Sequence, residues 1–208
     1  LKTARSPRFI KKEFRQVAFE NLKANNIDAL IAIGGDGTFT GAKIFLEEFP
    51  FQIVGLPGTI DNDLYGTDFT IGYDSAINTV VQAVDKIRDT AMSHDRIFIV
   101  EVMGKDAGFI ALRSGIAAGA EAILVPETPT YIYHLLEKLA ARRKDKSSAI
   151  IIVAEGDDFG GAQKVSEAIK SSYPDFDIKV SILGHMQRGG SPSAMDRVLA
   201  SHLGAGAV

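Results

Sequence analysis

Two carboxylates stand two positions apart in Pro57-Gly58-Thr59-Ile60-Asp61-Asn62-Asp63. In a loop such a pair can divide its work, one held as a base and the other tied to local backbone or to a cation. A base that accepts a hydroxyl proton is a requirement of phosphoryl transfer. The alternative is a pair of Asx-turns, because Asp and Asn favour loops for their own hydrogen bonds. A calcium loop is excluded: its fifth place is Tyr65 and its twelfth is Gly72, where a bidentate glutamate is needed.

A second constellation is Gly34-Gly35-Asp36-Gly37-Thr38. Glycines let backbone approach a phosphate, and a following helix presents unpaired N–H groups to it. An aspartate there would repel the phosphate directly, but it fits if it reaches a Mg2+ that bridges phosphate oxygens. The plain alternative is a strand-to-helix turn with Asp36 as cap. The spacing of Gly35, Gly37 and Gly41 misses the dinucleotide fingerprint, and no Walker lysine pattern occurs. Further along lie Arg96, Met103-Gly104-Lys105-Asp106, Glu155-Gly156 and Gly184-His185-Met186-Gln187-Arg188-Gly189-Gly190-Ser191-Pro192. His185 and Arg188 can donate to a phosphate, the glycines clear space, and Ser191-Pro192 reads as a helix cap and first turn. Taken singly, such a His or Arg is an ordinary surface group.

The elements that must position these residues alternate along the chain. Apolar runs at Ile27–Ile33, Gln52–Leu56, Ile97–Met103, Ala122–Val125, Ala149–Ala154 and Ile178–Leu183 lack period-two alternation, which predicts parallel strands buried on both faces. Helical spacing predicts a helix over Asp74–Met92, capped by Asp74 or Ser75, and another over Tyr131–Arg143 ending in a basic turn through Lys144. Strict alternation predicts a doubly wound α/β fold. In such sheets ligands bind beyond the carboxyl ends of the strands, which is where every constellation above falls except Arg96. The long connection Pro57–Tyr73, with little regular character, marks a working loop.

Composition narrows the classes. The chain has 208 residues, 46% hydrophobic and 24% charged, the balance of a globular protein with a core of its own. Lys and Arg number 23 against 26 Asp and Glu, a net charge of −3 that offers no basic excess for nucleic acid. There is no Cys, so thiol chemistry and disulfides are out, and no apolar run spans a bilayer. A cytoplasmic protein is expected, with no nucleic-acid or membrane partner. The chain opens on Leu1 and stops at Gly204-Ala205-Gly206-Ala207-Val208 within a helical pattern, as a piece of a longer protein would.

In this order, the segments resemble the 6-phosphofructokinases over essentially the whole sequence. Gly34-Gly35-Asp36-Gly37 alone is shared with NAD kinases and diacylglycerol kinases; Pro57–Asp63 together with Met103-Gly104 and Gly184–Pro192 is far more specific. The resemblance implies transfer of the γ-phosphate of ATP to the 1-hydroxyl of fructose 6-phosphate, with Mg2+, as an allosteric enzyme of glycolysis. Asp61 then resembles the general base, Thr59 the residue orienting the phosphoryl group, and Asp63 a supporting carboxylate. Asp36 resembles the Mg2+-linked aspartate. Gly35, Gly37 and Thr38 belong to the nucleotide side, and Arg5 resembles an arginine on the ATP phosphates. Met103, Gly104, Glu155, His185 and Arg188 resemble sugar-phosphate contacts. Arg96 resembles an arginine donated across a subunit interface, which implies a homo-oligomer, a tetramer or dimer. Arg88 and Glu121 fall where bacterial members bind effectors.

Lys105 and Lys179 stand where many members carry arginines, the first on the transferring phosphoryl group and the second reaching across subunits; lysine keeps the charge but loses the bidentate fork. Pyrophosphate-dependent relatives usually carry Asp at the place of Gly37 and Lys at that of Gly58, so glycine at both favours ATP. A pyrophosphate-dependent enzyme and a non-catalytic regulatory subunit remain the alternatives. The resemblance further implies two Rossmann-like domains with the active site in the cleft between them: residues 1–71 plus 187–208 for the nucleotide, and 72–186 for the sugar phosphate. The family's first glycine-rich strand-turn-helix would lie before Leu1, so these 208 residues alone are expected to be inactive.

Overall fold

The computed structural model of the protein describes residues 6–90, 96–141 and 148–208. Strands and helices alternate as α1 (Lys12–Ala24), β1 (Ala29–Gly34), α2 (Asp36–Glu48), β2 (Gln52–Pro57), α3 (Tyr73–Thr90), β3 (Arg96–Val102) and α4 (Phe109–Ala117). They continue as β4 (Ala122–Leu124), α5 (Ile132–Ala140), β5 (Ser148–Ala154), α6 (Gly161–Ser172), β6 (Asp177–Ile182) and α7 (Ala194–Gly206). Each of the six predicted runs is a strand. The expected ends of two helices, Met92 and Arg142-Arg143-Lys144, lie outside the described residues.

Among the described residues all strand pairings are parallel, in a two-stranded sheet β1-β2 and a four-stranded sheet ordered β4-β5-β3-β6. Parallel neighbours need crossover connections, which the intervening helices supply. In the larger sheet Ile97, Ile99, Ile151 and Val153 pack with Leu135 and Leu139 of α5 and Val165 and Ile169 of α6. Phe98, Val100, Val102, Ile150 and Ile152 face the other way, against Val80 and Val84 of α3 and Ile110 and Ala111 of α4. Helices on both faces explain the missing alternation: every residue of β5 after Ser148 is buried. Each aliphatic side chain so buried contributes about 1.5–3 kcal/mol relative to exposure.

The first two strands depart from that expectation. Ile31, Ile33 and Val54 are 46%, 58% and 43% exposed. α2 packs on the small sheet from one side only, and α1 reaches α2 through Phe19, which stacks on Phe49 and meets Phe45 edge-on. Arg15 locks the two helices together: its Nε and Nη2 donate to the two Glu48 carboxylate oxygens at 2.7 Å each, and Nη1 donates to the carbonyls of Phe9 and Ile10.

Two caps also differ from the sequence expectation. α3 begins at Tyr73, so Asp74 and Ser75 lie inside its first turn and Asp196 of α7 caps it instead. α7 starts later than Ser191-Pro192 suggested, with Ser193 as N-cap accepting from the Asp196 N–H at 3.2 Å. The Ser193-x-x-Asp196 spacing is a capping box whose acidic member is used elsewhere.

Candidate active site

The two strand-end turns of the small sheet lie side by side. The Gly58 N–H donates to the Gly34 carbonyl at 2.9 Å, extending the β1-β2 register beyond Gly34 and Pro57. A Cβ on Gly58 would come within 2.9 Å of Ile33 Cγ2, and one on Gly35 within 3.3 Å of Thr59. Gly58 therefore has a packing reason of its own: a side chain there requires Ile33 to shift. At Gly37, by contrast, an added Cβ meets nothing within 4 Å.

The loop 58–72 is stapled to itself. The Thr70 hydroxyl donates to the Thr59 carbonyl at 2.6 Å, and the Ile71 N–H to the Pro57 carbonyl at 2.8 Å. Asn62, at φ 53°, accepts from the Thr70 N–H at 2.8 Å. Asn tolerates this left-handed conformation better than most residues, so the loop holds its bend at small cost. The pair of Asx-turns is therefore not seen: the Asn62 side chain spans eight residues to Thr70 instead of closing on backbone two residues on, and Asp61 makes no such bond among the described residues. The Asp61 N–H donates to Thr59 Oγ1 at 3.2 Å, while its Oδ1 is buried with no hydrogen-bond partner among the described residues. A buried acceptor left unsatisfied costs about 1–3 kcal/mol. Such an orphan needs a reason, and a catalytic role is one.

Charges from four segments converge on that carboxyl. Burial raises Asp61 above the ordinary carboxylate range; the Asp63 charge raises it further, Arg188 opposes, Glu155 adds and Lys105 opposes. Lys105 is raised by its hydrogen bond to Asp106, and also feels Asp63 and Asp36. Thus Asp36, Asp61, Asp63, Lys105, Glu155 and Arg188 share one region at the carboxyl ends of β1, β2, β3, β5 and β6. Asp36 is the first residue of α2, whose N-cap Gly35 makes no side-chain cap bond, and Asp36, Gly37 and Thr38 are exposed. The cap reading of Asp36 therefore fails.

On the opposite side, the turn after β3 is braced by its neighbours. Glu155 Oε1 accepts from the Lys105 N–H at 2.7 Å and the Gly104 N–H at 3.2 Å. Gly104, at φ 148°, has no room for a Cβ, which would lie 2.3 Å from the Ala107 carbonyl oxygen. Lys105, at φ 55°, carries a left-handed backbone that costs of order 1–3 kcal/mol in a non-glycine residue. Its Nζ pairs with Asp106 at 3.3 Å, both side chains well exposed. Met103 is buried, and His185 and Arg188 stand exposed on a short 3-10 turn, Gly184–Arg188.

Arg96 and Lys179 are not brought to this region. Arg96 opens β3, so Met103 lies seven residues and roughly 20 Å further along it. Arg96 Nε and Lys179 Nζ both reach Asp177, at 2.8 and 2.9 Å. Arg88 donates to the Ala118 carbonyl at the end of α4, three residues before Glu121, so the two candidate effector residues fall in one neighbourhood. Arg5 lies outside the described residues.

The sequence reading gave no role to Gln187 or Asp196. Gln187 is 1% exposed; its Oε1 accepts from the Met103 N–H at 3.2 Å and its amide donates to the Gly184 carbonyl at 3.0 Å. The only signal for it was its place between His185 and Arg188, and an amide there reads as neutral. Asp196 had no local signal. Among the described residues no cluster of three or more His, Asp or Glu side chains forms a metal site, and no helix is long and apolar enough to cross a membrane.

This geometry puts a desolvated carboxylate between a glycine-rich helix start and a cationic turn, an arrangement suited to moving a proton beside a phosphoryl group. The sequence matches the family described as Phosphofructokinase over residues 1–208, and the chain belongs to that family. It is 58% identical to ATP-dependent 6-phosphofructokinase 2 of Bacteroides thetaiotaomicron, over 100% of this chain and 64% of that protein's length. Among solved structures, phosphofructokinase of Pichia pastoris in the T-state aligns with a TM-score of 0.90 and 39% identity, over 99% of this chain and 24% of that one. A pyrophosphate-dependent phosphofructokinase of Marinobacter aquaeolei aligns with a TM-score of 0.81 and 26% identity, over 95% of this chain and 55% of that one.

Proposed function

We propose that the complete protein carrying this chain transfers the γ-phosphoryl group of ATP to the 1-hydroxyl of fructose 6-phosphate, giving fructose 1,6-bisphosphate and ADP in glycolysis. The observation that carries this reading is the buried, unpartnered Oδ1 of Asp61 at the meeting point of Asp63, Lys105, Glu155 and Arg188. Asp61 accepts the proton of the 1-hydroxyl as that oxygen forms its bond to phosphorus and the bond to the β-phosphate oxygen breaks. Thr59 orients the phosphoryl group, Asp63 keeps Asp61 basic, and Lys105 offsets the charge that passes between donor and acceptor.

Asp36 would hold Mg2+. The ion is commonly bound by one or two carboxylates together with substrate phosphates, so a single exposed aspartate not spent on a helix cap fits it. When bound, Mg2+ neutralises charge on the phosphate oxygens. Gly35, Gly37 and Thr38 line the nucleotide side with Arg5. Met103, Gly104, Glu155, His185 and Arg188 hold the sugar phosphate, two of them through the braced turn after β3. Arg96 and Lys179, roughly 20 Å away along β3 and on β6, serve a neighbouring subunit's sugar phosphate, which makes the protein a homo-oligomer. Arg88 and Glu121 take an effector.

The nucleotide lobe comprises residues 1–71 plus 187–208 and the sugar lobe 72–186, with the site in the cleft between them, in a cytoplasmic enzyme. ATP is favoured over pyrophosphate by the 58% identity to an enzyme named ATP-dependent and by the open space at Gly37.

In the complete protein, Asp61→Ser should lower kcat by about 10²–10⁴ while leaving equilibrium binding of fructose 6-phosphate largely intact. Turnover within tenfold of wild type would remove Asp61 from the base role.

A further inference from the structure

Asp196 is 3% exposed on the first turn of α7, and both of its carboxylate oxygens are engaged with the start of α3. Oδ1 accepts from the Gly72 N–H at 2.9 Å; Oδ2 accepts from the Ser75 N–H at 2.8 Å and the Ser75 hydroxyl at 2.5 Å. The Ser193 N–H in turn donates to Ser75 Oγ at 2.9 Å. A carboxylate this deep is tolerable only with its oxygens satisfied, and the positive end of a helix dipole is a favourable place for it.

A local Ser, Asp or Asn just ahead of α3 would cap the helix as well. The chain instead has Gly72 there, at φ 102°, and takes the cap from a residue 124 positions away. That choice ties two functional segments together. Gly72 ends the loop that carries Asp61, and this loop is stapled internally through Thr59, Asn62 and Thr70. α7 begins at Ala194, a few residues after the turn that carries His185 and Arg188, which Gln187 fixes independently to the end of β3.

Resting on the phosphofructokinase reading above, we propose that Asp196 is a positioning residue, with Ser75 as its partner, that sets the Asp61 loop against the sugar-phosphate side of the site. Its loss displaces the base without dismantling the pocket held by Gln187. The effect therefore falls on kcat rather than on KM.

The test is steady-state phosphoryl transfer to fructose 6-phosphate by the complete protein, comparing wild type with Asp196→Asn, Ser75→Ala and Ser75→Thr well below their melting temperatures. Misplacement by about 1 Å can cost 10²-fold, so Asp196→Asn should lower kcat at least ~10-fold. KM for fructose 6-phosphate should stay within about threefold. Ser75→Ala should fall in between and Ser75→Thr, which keeps the hydroxyl, should recover wild-type kcat. If Asp196→Asn fails to fold, the Ser75 pair decides the matter. A cap with a purely structural role lowers Tm and leaves kcat unchanged at the assay temperature. That result, or a loss confined to KM, overturns the positioning role while wild-type turnover leaves the functional reading standing. A wild-type protein that transfers no phosphoryl group overturns both.

Discussion

At Asp61, burial and the Asp63 and Glu155 charges act in one direction and Arg188 and Lys105 in the other, so side chains from four segments set how readily it gives up its proton. In the proposed reaction the base form is the working form, and the acid limb of kcat/KM would report its titration in the free enzyme. That limb should lie above the ordinary Asp value of about 3.9. Asp63→Asn removes a charge that raises the Asp61 pKa and should move the limb to lower pH. Arg188→Ala removes one that lowers it and should move the limb to higher pH. A pH–rate series on the three proteins checks both signs, and a limb that stays put or moves oppositely would mean that another group is the base.

The elements divide into those that make a core and those that aim residues. β3 and β5 do the first, and their buried runs were legible because a strand covered on both faces has no polar positions to interrupt it. The segments after the strands were legible for a related reason. Glycines, a paired Asp and a His-Arg turn are costly or idle inside a core, so their place at strand ends points to chemistry. What the sequence hid was partnership over distance. Nothing near Ser75 announces Asp196, and nothing in Gln187 announces the Met103 N–H; both depend on α3, β3 and the turn Gly184–Arg188 arriving together. The exposed side of β1-β2 was hidden too, since Ile31, Ile33 and Val54 read the same whether covered or not. The bracing role of Gln187 has a measurable consequence. Gln187→Ala strands a buried N–H, worth about 1–3 kcal/mol, and loosens the turn carrying His185 and Arg188. KM for fructose 6-phosphate should rise about 5–30-fold with a smaller change in kcat, the reverse of the Asp196 pattern. Equal KM values in a stably folded variant would separate Gln187 from the pocket.

For the molecule as a whole, two parallel sheets present their carboxyl ends to a shared region, and the residues proposed for nucleotide and for sugar come from different sheets. Such a division lets closure of one part on the other exclude water from the phosphoryl group. The chain spans 64% of the length of the Bacteroides relative. The donor is the point on which the account turns, because a pyrophosphate-dependent phosphofructokinase shares the fold. The decisive measurement is phosphoryl transfer to fructose 6-phosphate by the complete protein, with Mg2+ and either ATP or pyrophosphate. Transfer from ATP and not from pyrophosphate is the expected result. Transfer from pyrophosphate alone would contradict the reading of Gly37, and transfer from neither, with fructose 6-phosphate still bound, would make the protein a regulatory relative instead of a kinase.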